Sequence, residues 1–242
     1  MSTARPAFYA ARPGRVRDWW TILHAPYTAW HLAYVVIGAT LAPRVDGPRL
    51  AATLLAFFLA VGVAAHALDE LHGRPLRTGI PSSVLVTVAT VALGAALVLG
   101  LVGVSRVGLG LVVFMVVGPV LVLGYNLEIF GGIVHSDVGF AAAWGAFPVL
   151  TAYFVQAERL DLTAALAASA ALALSLAQRS LSTQARLVRR RAVSVDGTVI
   201  LSDGTTRPID AAGLLAPIET ALRWMAAAVI TLAIALLSAR AW

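Results

Sequence analysis

The sequence contains no cysteine and no lysine. Without cysteine there is no disulfide, no thiolate metal site and no cysteine nucleophile, and the redox compartment stays open. Charge is scarce as well. Only 12% of the 242 residues are charged, where a soluble domain carries roughly 25%. Together with 60% hydrophobic residues and a mean hydropathy of +0.85, that scarcity places the chain in a membrane. All 18 basic residues are arginines, for a formal net charge of +6. No basic stretch is interleaved with aromatics as single-strand binding requires, so nucleic acid is not an expected partner. The arginines read instead as holding loops at one membrane face. A signal-peptide pattern is also missing, because Arg12, Arg15, Arg17 and Asp18 lead into a full-length span without a small-residue cleavage site.

What is present in quantity is apolar helix. A bilayer core needs about 20 mostly apolar residues, and seven segments supply them: about 19–41, 50–70, 81–104, 107–129, 138–156, 161–181 and 219–239. The expected fold is an all-α integral membrane bundle of about seven helices. Its parts are a basic N-terminal arm (1–17), a six-helix bundle with a polar cavity (18–190), a small β-ribbon between helices 6 and 7 (191–213) and a seventh helix (214–242). The ribbon is expected because residues 193–205 alternate and carry Asp196-Gly197 and Asp203-Gly204, a strong hairpin signal. With the N-terminus inside, the inner segments hold 13 arginines and the outer ones only Arg44, Arg49, Arg106, Arg159 and Arg240. That asymmetry predicts a cytoplasmic-membrane protein with its N-terminus in and its C-terminus out.

The polar residues gather on that inner face. After a chargeless run from Leu50 to Ala65 come His66, Asp69, Glu70, His72, Arg74 and Arg77. Such groups at the end of a lipid-facing helix are costly unless they line a cavity or bind something. On a continuing helix, His66 shares a face with both Asp69 and Glu70, a spacing that can offer two ligands to one metal ion. The second polar stretch is Tyr125, Asn126, Glu128, His135 and Asp137. There Gly131-Gly132 would let the chain bend so that Glu128 and His135 approach one site. In the first span His24 and His31 lie on nearly one face, with His31 about 10 Å deeper, and Pro26 is expected to kink the helix.

On these residues the chain resembles the UbiA superfamily of intramembrane prenyltransferases. His66–Pro81 is similar to that family's first aspartate-rich motif, with Arg74-Pro75-Leu76 and Thr78-Gly79 matching its Arg-Pro-Leu-x-x-Gly ending. His24–Pro43 is similar to the family's first span, including Gly38-Ala39 and Leu41-Ala42. Tyr125 and the stretch from Gly139 to Pro148 are similar to its fourth and fifth helices. The resemblance covers roughly residues 20–190 and implies a helical bundle around a central cavity, with Mg²⁺ holding a prenyl diphosphate. The chain departs from it in four places. The first motif keeps only Asp69, Gln178–Arg186 has no carboxylate where the second should lie, Glu128 replaces a basic residue, and seven spans stand for nine.

Three functional readings follow. The first is a membrane enzyme with a mixed metal site of His31, His66, Asp69, Glu70, Glu128 and His135, taking Fe, Zn or Mn and acting on a lipid or isoprenoid. In it Asp69, Glu70 and Glu128 are the catalytic candidates, and His72, Arg74, Arg77, Tyr125 and Asn126 the substrate-binding ones. The second is a divergent prenyltransferase or prenyl-diphosphate-processing enzyme, with Mg²⁺ on Asp69 and Glu70 and phosphate on Arg74 and Arg77. The third is a non-enzymatic lipid-binding or assembly protein whose cluster is a hydrogen-bonded network between helices. No protein partner is legible in the sequence.

Overall fold

The computed structural model describes residues 6–11 and 14–240. Arg5 and Arg12, two of the arginines counted on the inner side, and residues 241 and 242 of the expected seventh helix lie outside them. Among the described residues eight longer helices and one hairpin follow in order, besides a 3-10 turn at Phe130–Gly132: α1 (Arg15–Ile22), α2 (Ala25–Leu41), α3 (Gly47–Leu71), α4 (Ser82–Val107), α5 (Leu111–Asn126), α6 (Asp137–Ala157), α7 (Leu162–Arg191), β1 (Gly197–Ile200), β2 (Thr206–Ile209) and α8 (Ala211–Ser238). Among the described residues, α3, α4, α6, α7 and α8 are each long and apolar enough to cross a membrane.

The other two expected spans take shorter forms. The segment expected at 19–41 is broken: α1 stops at Ile22, and His24 adopts a left-handed conformation (φ 46°) that caps α2. The break falls two residues before Pro26, which sits in the first turn of α2, where a missing N–H costs nothing. α2 has 17 residues and α5 has 16, or about 26 and 24 Å at 1.5 Å per residue.

Helix ends follow local chemistry. Asp46 caps α3 by accepting from the Arg49 N–H at 2.8 Å, and Ser136 caps α6 by accepting from Gly139 at 3.0 Å. Asp210 caps α8 by accepting from Gly213 at 2.7 Å. Asp161 caps α7 and also accepts from the Tyr153 hydroxyl at 2.6 Å, a bond that holds its carboxyl below the usual range. The expected ribbon is a two-stranded antiparallel hairpin, paired from Gly197↔Ile209 to Ile200↔Thr206. Its turn is Asp203-Gly204, with Gly204 at φ 81°. Asp196-Gly197 leads into β1 rather than turning.

α2 is the centre of the bundle. Trp30, Tyr34 and its neighbours pack with Val149 of α6, Ala168 and Ala171 of α7, and Ala226, Val229 and Ala233 of α8. On another side Val35 and Ala39 join Phe57 and Val61 of α3, Val122 and Tyr125 of α5, and Trp144 of α6. Glycine sets two of the closest approaches. A Cβ on Gly38 would lie 2.3 Å from the Val149 carbonyl, and one on Gly145 would lie 2.5 Å from Ser175 Oγ. α4 is the opposite case. Only 17% of its apolar window is buried, against 56% for α6, so its Val86, Val91, Val98 and Leu101 face outward. A surface so apolar is the kind that lipid covers.

The two ends of the bundle differ. One carries Arg49, whose guanidinium donates to the Val155 and Arg106 carbonyls and pairs with Glu158, together with Arg159 and Arg240. At the other end lie the 72–81 loop, the 127–136 connection, the arginine-rich end of α7 and residues 6–11.

Candidate functional site

At that second end, α2, α3, α5, α6 and α7 enclose a polar cavity of about 290 Å³. Its walls bring together His24, His31, His66, Asp69, Tyr125, Asn126 and His135, all from stretches picked out in the sequence, and are completed by Tyr27, Trp144, the α7 face, Glu219 and Leu222 of α8 and residues 6–9. Three wall segments are π-helical: Phe58–Ala65, Ala142–Ala146 and Leu187–Arg191. Each extra residue turns the following side chains relative to an ideal helix, and such insertions are frequent at functional sites.

Three of the cavity's imidazoles are anchored through one nitrogen. His31 Nδ1 lies 2.9 Å from the Trp144 carbonyl, His66 Nδ1 3.1 Å from the Gly62 carbonyl and His135 Nδ1 2.9 Å from the Tyr125 carbonyl. An acceptor carbonyl fixes Nδ1 as the protonated nitrogen, leaving Nε2 of each as an acceptor or ligand. His24 stacks on His66 with ring centroids 4.2 Å apart, and its Nε2 is buried without a hydrogen-bond partner. Tyr125 stacks on His135 at 4.5 Å. Asn126 donates to the Val122 carbonyl at 2.7 Å. Asp69 lines the cavity with no hydrogen bond or ion pair among the described residues.

Glu70 faces elsewhere. It is fully buried and accepts three hydrogen bonds from the following loop: Leu76 N–H at 2.9 Å, Thr78 N–H at 2.8 Å and the Thr78 hydroxyl at 2.8 Å. The structure thus uses it to hold the Arg-Pro-Leu loop rather than to line the cavity. Arg74, expected to bind substrate, donates instead to the Ile80 carbonyl at 2.6 Å and to Ser82. Arg77 is exposed. Glu128 stands at the surface, its Oε1 3.8 Å from both His72 Nε2 and His135 Nε2. The double-glycine bend that allows this is present, with Gly131 at φ 66° and Gly132 at φ 77°. The six expected metal ligands are therefore divided between cavity, loop and surface. Among the described residues, no three His, Asp or Glu side chains converge as a metal ion would need.

Two contributors were not anticipated. The first is the α7 face. Gln178, Arg179, Ser182, Arg186, Arg189 and Arg190 all line the cavity, although the arginines read as a headgroup anchor. Arg179 pairs with Asp137 at 2.9 Å, and Arg189 makes a two-pronged ion pair with the buried Glu219 of α8. The four-residue spacing of Gln178, Ser182 and Arg186 was the available signal, since it puts all three on one helix face. The second is the N-terminal arm. Tyr9 packs on His24 and Tyr27 at 5.1 and 5.5 Å, Phe8 lies under the Arg223 guanidinium at 5.0 Å, and Arg190 donates to the Pro6 carbonyl at 3.2 Å. Burial pushes the Tyr9 phenol up, so it is a neutral hydrogen-bonding group at physiological pH.

A second cavity, of about 500 Å³, lies between α3, α4, α5 and α6. It runs from Asp46, Arg49 and Arg106 at the far end inward, and its walls are almost wholly apolar: Ala56, Ala60, Leu97, Gly100, Phe114, Gly118 and Phe147 among them. Val61 and Trp144 line both cavities, so the polar and apolar chambers adjoin at those two side chains.

Comparison with known proteins returned no match to a family model, to a curated protein or to a solved structure.

Proposed function

We propose that this chain is an integral membrane protein of UbiA-like bundle architecture that takes up an amphiphile, an isoprenoid or lipid. The polar head occupies the His/Arg cavity and the chain occupies the apolar one. The observation that carries this reading is the pair of adjoining cavities, one polar and one apolar, sharing Val61 and Trp144. Together they fall within the roughly 300–1,000 Å³ typical of small-molecule sites. In this reading α1–α2 and α5 complete a seven-span bundle with the N-terminus cytoplasmic, so the head enters from the cytoplasmic side.

Asp69 favours an enzymatic form of the same reading. It is a carboxylate beside the cavity with no hydrogen bond or ion pair among the described residues, the position a proton acceptor needs. A mixed metal site is the alternative chemistry: His31, His66, Asp69 and His135 line the same cavity, and a metal would have to draw them together, since no three of them converge among the described residues. Its test is metal analysis of the purified protein with Asp69→Ala beside it.

Extraction and mass spectrometry of lipid retained by the purified protein, with thermal-shift measurements on prenyl alcohols and phosphates of graded length, test the amphiphile reading. Chain-bearing compounds should stabilise the protein more than their short-chain counterparts. Gly118→Leu should abolish that length dependence, because the new side chain would grow toward Phe147 into the apolar chamber. Equal stabilisation by short and long chains would overturn the reading.

A further inference from the structure

We infer that the cavity binds a phosphate-like anionic head directly, on Arg186, Arg190 and Gln178, without a divalent cation between ligand and protein. The inference rests on the amphiphile reading and departs from the Mg²⁺ clamp that the UbiA resemblance implies.

The donors present do not fit such a clamp. Mg²⁺ is held by carboxylates together with waters and substrate phosphates. Of the carboxylates near the cavity, Glu219 is engaged by Arg189, Asp137 by Arg179, and Glu70 by the 76–78 loop. Asp69 alone is left. The face of α7 that looks into the cavity offers an amide, a hydroxyl and a guanidinium where a second set of carboxylates would be needed. Two positive side chains would also stand close to any bound cation.

The same inventory fits an anion. Among the described residues Arg186 donates only to hydroxyls, Ser182 at 3.3 Å and Thr183 at 2.9 Å, and Arg190 only to the Pro6 carbonyl. Among the described residues neither lies within ion-pair distance of a carboxylate, and both line the cavity. Two guanidiniums against the single charge of Asp69 leave the cavity positive. A phosphate monoester brings about −1.5 to −2 charge and three acceptor oxygens, and Arg matches such a group in two-pronged geometry. Gln178 is the independent observation. Its side chain is 3% exposed, lines the cavity, and leaves Oε1 without a partner. Buried amides are almost always hydrogen-bonded. Since amide O and N are assigned rather than seen, the group can present its NH₂ to a phosphate oxygen or its oxygen to a phosphate hydroxyl.

The test is equilibrium binding to the full chain in detergent, in excess EDTA and again with Mg²⁺. The probes are geranylgeranyl monophosphate, geranylgeranyl diphosphate, phosphatidic acid, inorganic phosphate and geranylgeraniol. A chain-bearing phosphate should bind with the same affinity under both conditions and more tightly than the alcohol. Arg186→Gln and Gln178→Leu should each weaken it about tenfold or more, as expected for loss of a hydrogen bond to a charged group. Which of prenyl phosphate and phosphatidic acid binds identifies the source of the head, and competition by inorganic phosphate alone would assign the site to a free anion. Binding that falls tenfold in EDTA overturns the inference while leaving the amphiphile reading standing. So does unchanged affinity in both Gln178→Leu and Arg186→Gln. Failure of every chain-bearing probe under both conditions overturns the amphiphile reading itself. Arg190→Gln serves in place of Arg186→Gln if the latter does not fold.

Discussion

Glu70 illustrates how one residue type can serve two different ends within a single turn of helix. Asp69 and Glu70 are adjacent, yet a 100° rotation per residue sends Asp69 toward the cavity and Glu70 toward the loop that follows α3. Both Glu70 oxygens are occupied by donors from that loop, so a carboxamide cannot replace the carboxylate without setting its NH₂ against an N–H. Glu70→Gln is therefore expected to lower stability by about 1–3 kcal/mol, the cost of leaving buried groups unpaired, read as a lower thermal midpoint in detergent. Arg74→Ala should behave alike, since Arg74 ties the same loop to the start of α4 through Ile80 and Ser82. Ligand affinity measured below the midpoint should be unchanged in Arg74→Ala. A loss of head-group affinity with full thermal stability would show instead that Arg74 touches ligand. His66, Asp69 and the Glu128–His135 approach were legible in the sequence because short-range helix spacing and a Gly-Gly bend decide them. The orientation of Glu70 was not, because its partners come from a loop whose path no local pattern specifies.

The elements show the same division. Hydropathy located α3, α4, α6, α7 and α8 because lipid-facing surface must be apolar whatever it packs against, and the Asp203-Gly204 turn announced the hairpin. Three features escaped that logic: the break at His24, the three π segments and the descent of the α7 arginines into the cavity. The last depends on contacts between helices distant in sequence, such as Arg189 of α7 with Glu219 of α8. That pair ties the cavity wall to the last helix. Glu219→Ala should cost on the order of 2 kcal/mol, less than the roughly 3–5 of a fully buried pair, because the Arg189 side chain keeps 19% exposure. The double change Arg189→Met with Glu219→Met should recover most of the loss in the same melting experiment. The arm is the other long-range element. Phe8 and Tyr9 cover one end of the cavity by packing on His24, Tyr27 and Arg223. Replacing both with alanine should admit water more freely, seen as faster hydrogen exchange at backbone amides of the 178–190 stretch. Unchanged exchange there would mean the arm does not cover the cavity in solution.

At the scale of the whole molecule the feature to explain is polarity from end to end. The cavity, the basic end of α7, the hairpin and the arm gather at one end of the bundle, while the Arg49, Arg106 and Glu158 contacts close the other. Loops carrying most of the arginines are retained on the cytoplasmic side, so the cavity end is expected inside. The absence of cysteine makes this directly measurable, because any introduced thiol is unique in the chain. Ser202→Cys places one in the exposed hairpin turn, and Leu109→Cys places one in the exposed turn between α4 and α5 at the opposite end. In sealed right-side-out vesicles a membrane-impermeant maleimide should label Leu109→Cys and spare Ser202→Cys until the membrane is permeabilised. The reverse pattern would invert the orientation and place the cavity mouth outside. Labelling of both in sealed vesicles would mean that the two ends are not separated by a bilayer, and the spanning architecture would fall with it.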